Sequence, residues 1–283
     1  MCGISGIFYF SKIDNNLRNQ LKKMNQIQKH RGPDSSGIWI SKSKKIGFGH
    51  TRLSILDLTK KSNQPFVDKT KSFVLTFNGE IYNFNEIKSI LIKNGYEFKT
   101  KNSDTEVLIN AYKKWGIRCI DYFRGMFAFA IWDSVKKKIF LVRDRVGVKP
   151  LYYKIDSEKI IFASEIKAIL LDQNYEPEID EESMYHYLSF LCTPAPNTMF
   201  KKIKKIEAGT WISVDEKGGL KKKCYWDSLN IKKKPGLDEE KKFKNNIYNL
   251  LVESVELRGI ADVEVGVFLS GGIDSSTNAY LFS

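Results

Sequence analysis

The second residue is a cysteine and the third a glycine. Removal of Met1 would leave Cys2 carrying a thiol and a free α-amine on one residue. The ordinary values are about 7.7–8.0 for the amine and about 8.5 for the thiol. A nucleophile and its own general base then sit side by side, and no histidine is needed. A small residue at position 2 permits methionine removal, and Gly3 lets the backbone turn sharply beside the amine. A second cluster, Ser270-Gly271-Gly272-Ile273-Asp274-Ser275-Ser276, lies near the far end of the chain. Two glycines let backbone approach an anion, while serine hydroxyls and the N–H groups of a starting helix point at it. The cluster lacks the lysine of a G-x-x-x-x-G-K loop and does not match G-x-G-x-x-G.

The elements that must carry these groups follow from periodicity. Residues 3–10 alternate as a strand. Leu17, Leu21, Met24 and Ile27 recur at helical spacing, so 15–29 is expected as an amphipathic helix. The turn-rich stretch from His30 to Gly37 follows as a loop. Strands are expected at 46–50 and 73–77, and a helix at 85–94. Ser103 as N-cap and Glu106 three residues later have capping-box spacing, for a helix running to Trp115 and stopped by Gly116. Strands at 126–132, 138–142, 151–154 and 159–163 succeed one another at hairpin distances, which favours antiparallel sheets with helices outside. A helix over 180–190 precedes an irregular stretch, 191–237, which holds Pro194, Pro196, Gly218, Gly219, Pro235 and Gly236. This reads as a connection with short strands around 203–214. Phe243, Ile247, Leu250, Leu251, Ser254 and Leu257 then mark a helix closed by Gly259. The apolar run 263–269 reads as a parallel strand buried on both faces, leading into the glycine loop and a helix from Asp274.

Composition sets the class. The 283 residues, 42% hydrophobic and 28% charged, suit one large globular domain plus part of another. The formal charge is +13, and residues 200–245 hold 14 lysines against 7 acids. Those lysines come in short runs without arginine forks or interleaved aromatics, so a solvated surface is favoured over a nucleic-acid or membrane partner. The four cysteines, Cys2, Cys119, Cys192 and Cys224, form no C-x-x-C pair, and with three histidines no metal site is expected. No secretory signal and no membrane-length apolar stretch is present, and a free thiol suits a reducing cytoplasm.

Several short motifs occur in order: Cys2-Gly3-Ile4, His30-Arg31-Gly32-Pro33-Asp34, His50-Thr51-Arg52-Leu53-Ser54-Ile55, Asn78-Gly79-Glu80-Ile81-Tyr82-Asn83, Ser103-Asp104-Thr105-Glu106, Arg143-Asp144-Arg145, Lys149-Pro150-Leu151-Tyr152-Tyr153 and Ala163-Ser164-Glu165. With the Ser270–Ser276 loop, this set resembles glutamine-hydrolysing asparagine synthetases along the whole chain. The resemblance implies an α+β fold: an N-terminal-nucleophile αββα sandwich with antiparallel sheets over 2–190. The connection 191–237 follows, and then the truncated beginning of an α/β ATP-pyrophosphatase-type domain over 238–283.

The resemblance also implies roles. Cys2 attacks the side-chain amide of glutamine, its α-amine carries the proton, and the thioester is hydrolysed to glutamate. The Asn78 side chain and the Gly79 N–H form the oxyanion hole, although Asn-Gly is also the usual turn of a hairpin. Arg52 grips the substrate α-carboxylate through its planar fork. Asp104 binds the α-ammonium, a place where an acid also stabilises a helix start unaided. Glu80 joins the glutamine site. His30 and Arg31 shape the pocket, and His50 and His186 are ordinary core or surface histidines. Leu269, Ser270, Gly271, Gly272, Asp274, Ser275 and Ser276 hold the pyrophosphate of ATP, with Mg2+ expected alongside. Glutamine hydrolysis itself needs no cofactor.

The sequence stops at Ser283, one or two turns into the helix after the loop. A strand and two helices do not close a core, so this polypeptide alone is not expected to make asparagine from aspartate. Residues 238–283 are expected to be loosely held or to dock on the first domain. A homodimer is compatible with the sequence. Two other readings stay open: an ATP-dependent amidotransferase with a non-aspartate acceptor, and a truncated non-catalytic interaction module.

Overall fold

Alternation along β1 (Gly3–Tyr9) sends its side chains to two faces, and all seven residues are buried. Ile4 and Phe8 enter one apolar cluster and Ile7 and Tyr9 another. A strand covered on both faces requires layers above and below it, and the rest of the chain supplies them. A computed structural model describes residues 1–11, 14–230 and 240–283; the Lys232 to Lys234 run, Pro235 and Gly236 lie outside the described residues.

Two six-stranded sheets form, and every strand pair in them is antiparallel. The first runs β10 (Ile203–Lys205), β8 (Tyr152–Ile155), β9 (Lys159–Ala163), β1, β3 (Ile46–Arg52), β2 (Ser35–Ile40). The second runs β12 (Leu220–Cys224), β11 (Thr210–Asp215), β7 (Lys138–Arg143), β6 (Gly125–Asp133), β5 (Phe73–Ile81), β4 (Phe66–Val67). Ile4, Phe8, Phe48 and Phe162 from one sheet meet Val74, Ala128, Ala130 and Leu141 from the other in the central layer. Helix α1 (Leu17–Ile27) and the short α4 (Ile166–Ile169) cover the outer face of the first sheet. Helices α2 (Phe84–Lys93) and α3 (Asp104–Trp115) cover the second. The fold is an αββα sandwich, as the sequence led us to expect. Helix α5 (Glu181–Phe190) projects Tyr185, Leu188 and Phe190 into solvent.

Four local expectations are corrected. The described part of 191–237 is more than a connection: the short strands expected around 203–214 form as β10 and β11, the unexpected β12 follows, and the three extend both sheets. Asn78 and Gly79 make no turn; they lie inside β5, opposite Ala128 and Phe127. The capping box is not made. Ser103 is the N-cap of α3 but its side chain caps nothing. Glu106 turns back to accept from the N–H groups of Lys99 and Thr100 and the Thr100 hydroxyl. Finally, 263–269 forms no strand between α6 (Glu240–Arg258) and α7 (Ile273–Phe282), and Phe268 is 97% exposed. A strand needs a hydrogen-bonded neighbour, and no described segment pairs with this run.

The 143–149 turn is built on Asp144, 1% exposed, whose carboxylate accepts from the N–H groups of Phe127 (3.2 Å), Val148 (2.9 Å) and Lys149 (3.0 Å). Asp144→Ala leaves two buried donors and a partly buried third without their acceptor. The expected loss is about 3 kcal/mol or more, read as a fall of roughly 10 °C in thermal midpoint. A fall of only about 1 °C would refute this account of the turn.

Candidate active site

Cys2 stands at the mouth of the central layer, one residue before β1. Its thiol lies against the backbone of Leu53, 3.4 Å from the N–H and 3.6 Å from the carbonyl. Its carbonyl accepts from Arg31 Nε at 3.0 Å, and Arg31 is in turn held by Glu165 at 3.0 Å. Glu165 also meets His30 at 2.9 Å, so these residues brace the backbone at Cys2. A side chain at Gly3 would strike the Thr51 hydroxyl, with Cβ at 2.6 Å. Burial pushes the Cys2 thiol up, opposed by the Leu53 N–H and the nearby amino terminus. That terminus is Met1's here, one residue ahead of the amine Cys2 would carry, and Met1 itself lines the pocket. Burial pulls this amine below its ordinary value, Cys2 opposes the shift, and Arg31 and Lys149 add to it. Burial in this place thus favours the neutral, basic form of an amine.

Opposite Cys2 runs β5. Its residues 74 and 78 share a face by the two-residue period, and Val74 packs in the central layer. Asn78 is 1% exposed, and its Nδ2 is buried with no hydrogen-bond partner. The N–H groups of Phe77 and Ile81 are taken by Gln64 Oε1 (2.6 Å) and Asp104 Oδ2 (3.1 Å). Gly79 lies between them. Its cross-strand partner Phe127 turns its own N–H and C=O to Asp144, so the Gly79 N–H must point away from β6, into the pocket. Gly79 has φ +157°, and a Cβ there would sit 2.1 Å from the Met126 carbonyl oxygen. Only glycine fits. Two donors without a partner, one on Asn78 and one on Gly79, thus belong to residues that line the same pocket as Cys2.

Arg52 is 6% exposed and lines the same pocket. Its Nη1 donates to the Thr59 carbonyl (3.0 Å) and Asn63 Oδ1 (2.8 Å), and its Nη2 to the Leu56 (3.2 Å) and Asp57 (2.5 Å) carbonyls. The fork expected to grip a carboxylate instead holds the 56–63 loop, which leaves Nε–H and the charge for a ligand. Asp104, first residue of α3, is buried in the pocket wall. Burial pushes its carboxyl up to about 7; the Ile81 N–H opposes this and the Glu80 charge adds to it. Burial also raises Glu80, with Lys149 opposing. Two carboxyl groups in low dielectric favour a cationic ligand group.

Several pocket residues escaped the sequence reading, among them Gln64, Leu53 and Lys149. Gln64 pins Phe77 and reaches Thr105 Oγ1 at 3.3 Å. The Leu53 backbone seats the thiol. Lys149 is 8% exposed, and its ammonium makes no hydrogen bond or ion pair among the described residues. Its position inside the repeated-aromatic segment Lys149 to Tyr153 was the available signal. The other histidines match expectation: His50 is 1% exposed, bonded to the Phe77 carbonyl at 3.1 Å and pushed down to about 4 by burial. His186 faces Glu182 on α5 at 3.8 Å.

The far loop is not part of this pocket. Ser270 and Ser275 hydroxyls meet at 3.0 Å, Ser275 Oγ donates to the Gly272 carbonyl at 3.0 Å, and Gly271 has φ +81°. Leu269, Ser270, Gly272, Asp274 and Ser276 surround the exposed start of α7. Among the described residues no group of three or more His, Cys, Asp and Glu side chains could hold a metal ion.

Comparison with known proteins follows the same division. Residues 1–226 match the family model of the glutamine amidotransferase domain and residues 246–283 that of asparagine synthase. A putative glutamine-hydrolysing asparagine synthetase of Methanocaldococcus jannaschii is 40% identical over 98% of this chain and 56% of its own length. Asparagine synthetase 1 of Bacillus subtilis is 38% identical over 98% of this chain and 43% of its own. An amidase of Gibberella zeae, chry2, is 37% identical over 90% of this chain and 37% of its own. The chain spans about half the length of the curated relatives it matches. Glutamine phosphoribosylpyrophosphate amidotransferase of B. subtilis, solved with ADP and GMP, superposes with a TM-score of 0.58 at 21% identity, over 81% of this chain and 50% of that one. At that identity the likeness is one of fold.

The elevated Asp104 carboxyl has a measurable sign. Between the unfolded value near 3.8 and the folded value of about 7, the folded protein holds a proton that the unfolded chain has lost, so stability falls as pH rises through that window. Asp104→Asn is expected to gain on wild type progressively from pH 5 to pH 8, as read from urea midpoints. A constant difference across that range would contradict the buried-acid assignment.

Proposed function

The chain belongs to the glutamine amidotransferase domain family, and from that premise we propose that it hydrolyses glutamine to glutamate and ammonia through a thioester on Cys2. Once Met1 is removed, the pocket gains room where that residue stood and Cys2 gains its amine. The amine takes the thiol proton, and sulfur attacks the side-chain amide carbon of glutamine. The resulting oxyanion accepts hydrogen bonds from Asn78 Nδ2 and the Gly79 N–H. Collapse breaks the C–N bond, and the α-ammonium of Cys2 returns its proton to the departing ammonia. Water then attacks the thioester, the amine takes one of its protons, and glutamate leaves as the thiol is restored. Arg52 offers Nε–H and a positive charge to the substrate α-carboxylate, while Asp104 and Glu80 receive its α-ammonium.

The buried, partnerless Asn78 amide beside the thiol is the observation that carries this reading. Such groups are few in folded proteins, and a ligand, an ordered water or useful strain accounts for them; among those found here, Asn78 lines the same pocket as Cys2. Asn78→Ala is expected to lower kcat by about 10²–10³ with a smaller change in KM. Cys2→Ala should release no glutamate above background, and a form that retains Met1 should be equally silent by the same assay. Glutamate release that survives loss of the sulfur would end the proposal.

For a longer protein of which this pocket is one part, the ammonia serves an ATP-dependent amide synthesis, with aspartate as acceptor and asparagine, AMP and pyrophosphate among the products. Ser270, Gly271, Gly272, Ser275 and Ser276 offer hydroxyls and helix-start N–H groups to the pyrophosphate of ATP; no Mg2+ step is assigned to described residues. The match of 246–283 to asparagine synthase supports this reading, and the likeness to the Gibberella zeae amidase keeps a different acceptor in view. Among the described residues no helix is long and apolar enough to cross a membrane. All four thiols are free, and a reducing cytoplasm suits a thiol nucleophile.

A further inference from the structure

The loop that closes the glutamine pocket is held from outside the amidotransferase match. Ile55 and Leu56 line the pocket, and the Leu56 and Asp57 carbonyls hold the Arg52 guanidinium. Asp57 has φ +48°, a left-handed backbone that a residue with a side chain occupies only when its surroundings fix it. Part of that fixing is local, since Asp57 Oδ1 accepts from the Thr59 N–H (3.1 Å) and hydroxyl (2.6 Å). The rest comes from Asp262, about two hundred residues on. The Asp57 N–H donates to Asp262 Oδ2 at 2.7 Å, and the Asp262 N–H donates to the Ile55 carbonyl at 3.0 Å. The other carboxylate oxygen, Oδ1, accepts from Asn102 Nδ2 at 3.2 Å. Asn102 precedes the N-cap of α3 and stands two residues before Asp104.

One carboxylate therefore ties together the two loops that carry the two ends of the ligand site: Arg52 through 55–57, and Asp104 through 102–104. Other contacts seat the same segment on the same rim. Glu253 pairs with Arg124, and the Arg258 guanidinium lies 4.8 Å from the centre of the Tyr82 ring, at the end of β5. Asp262 lies in the part of the chain that matches asparagine synthase, whereas every group it holds lies in the amidotransferase part.

We infer that Asp262 is a positioning residue for glutamine, supplied to the amidotransferase pocket by the synthase-like segment, so that glutamine affinity depends on how that segment is seated. This rests on the glutaminase reading above. Asp262 touches neither Cys2 nor the two oxyanion donors, and its loss acts on substrate binding through the 55–57 loop. By linkage, anything that shifts residues 258–262 shifts glutamine affinity by the same factor that glutamine shifts the seating.

The test is the initial rate of glutamate release against glutamine concentration, for the whole chain and four variants whose thermal midpoints are taken in parallel. Asp262→Ala is expected to raise KM about tenfold, as suits the loss of two hydrogen bonds to a charged acceptor, with kcat within about twofold. Asn102→Asp sets two carboxylates face to face and should raise KM as well. Asp262→Asn should change KM less than Asp262→Ala, because an amide oxygen can still accept from Asp57. Asp262→Asn combined with Asn102→Asp exchanges donor and acceptor and should bring KM back toward wild type, a rescue that a general loss of stability would not give. If KM is unmoved in Asp262→Ala, or the double variant is no better than Asn102→Asp, while release still depends on Cys2, the positioning role is overturned and the glutaminase reading stands. If the wild-type chain shows no Cys2-dependent release, both fall.

Discussion

Sealing the Asn78 amide between two sheets with no partner costs about 1–3 kcal/mol, and an acid and an ammonium, Asp104 and Lys149, are buried around the same space. A fold keeps such groups in place only if other contacts leave them nowhere to go. The sandwich does this by hydrogen-bonding β1 to both β3 and β9 and β5 to β6 along its whole length, with helices over the outer face of each sheet and the other sheet against its inner face. Gly79 then fixes the distance of closest approach, because the Met126 carbonyl occupies the place of any side chain. Relaxing the amide into water would require parting the two sheets at a point where apolar packing is dense.

The same economy runs through the charged residues. Arg31 and Arg52 look interchangeable as cations beside a thiol, yet each uses donors to fix backbone. Arg31 fixes the Cys2 carbonyl and Arg52 fixes four acceptors of one loop. A guanidinium suits this work because its donors are planar and permanently charged. Glu165 and Asp144 act the same way with opposite sign, each gathering several donors from separate segments.

Much of this was legible in the residues. β1, α1, α3 and the strands from 125 to 163 announce themselves by period, and Cys2, Asn78, Gly79 and Asp104 are brought to one pocket as their motifs suggested. What was not legible depended on distance through space. Asn-Gly is the favoured two-residue turn, yet here it continues a strand because Ala128 and Phe127 stand opposite it. Ser103 and Glu106 have the spacing of a capping box, but Glu106 finds three donors at 99–100 that local sequence does not reveal. β10 and β11 fall where short strands were expected around 203–214, whereas β12 is lysine-rich and exposed and becomes a strand by adding to a sheet edge already formed. Lys149 lies in a motif that gave it no role and Asp262 in none; only the fold places them in the pocket with Cys2 and against Asp57.

The uncovered run from 263 to 269 has a consequence for how the chain behaves in company. Val263, Val265 and Val267 sit on alternate positions with Phe268 and Leu269 beside them, and all five are solvent-exposed. Branched side chains at that spacing, with only Glu264 and Gly266 between them, form the kind of segment that templates intermolecular β-pairing. Wherever the run goes without a neighbouring strand, concentrated samples would tend to self-associate through it, and Glu264 would be the gatekeeper slowing that aggregation.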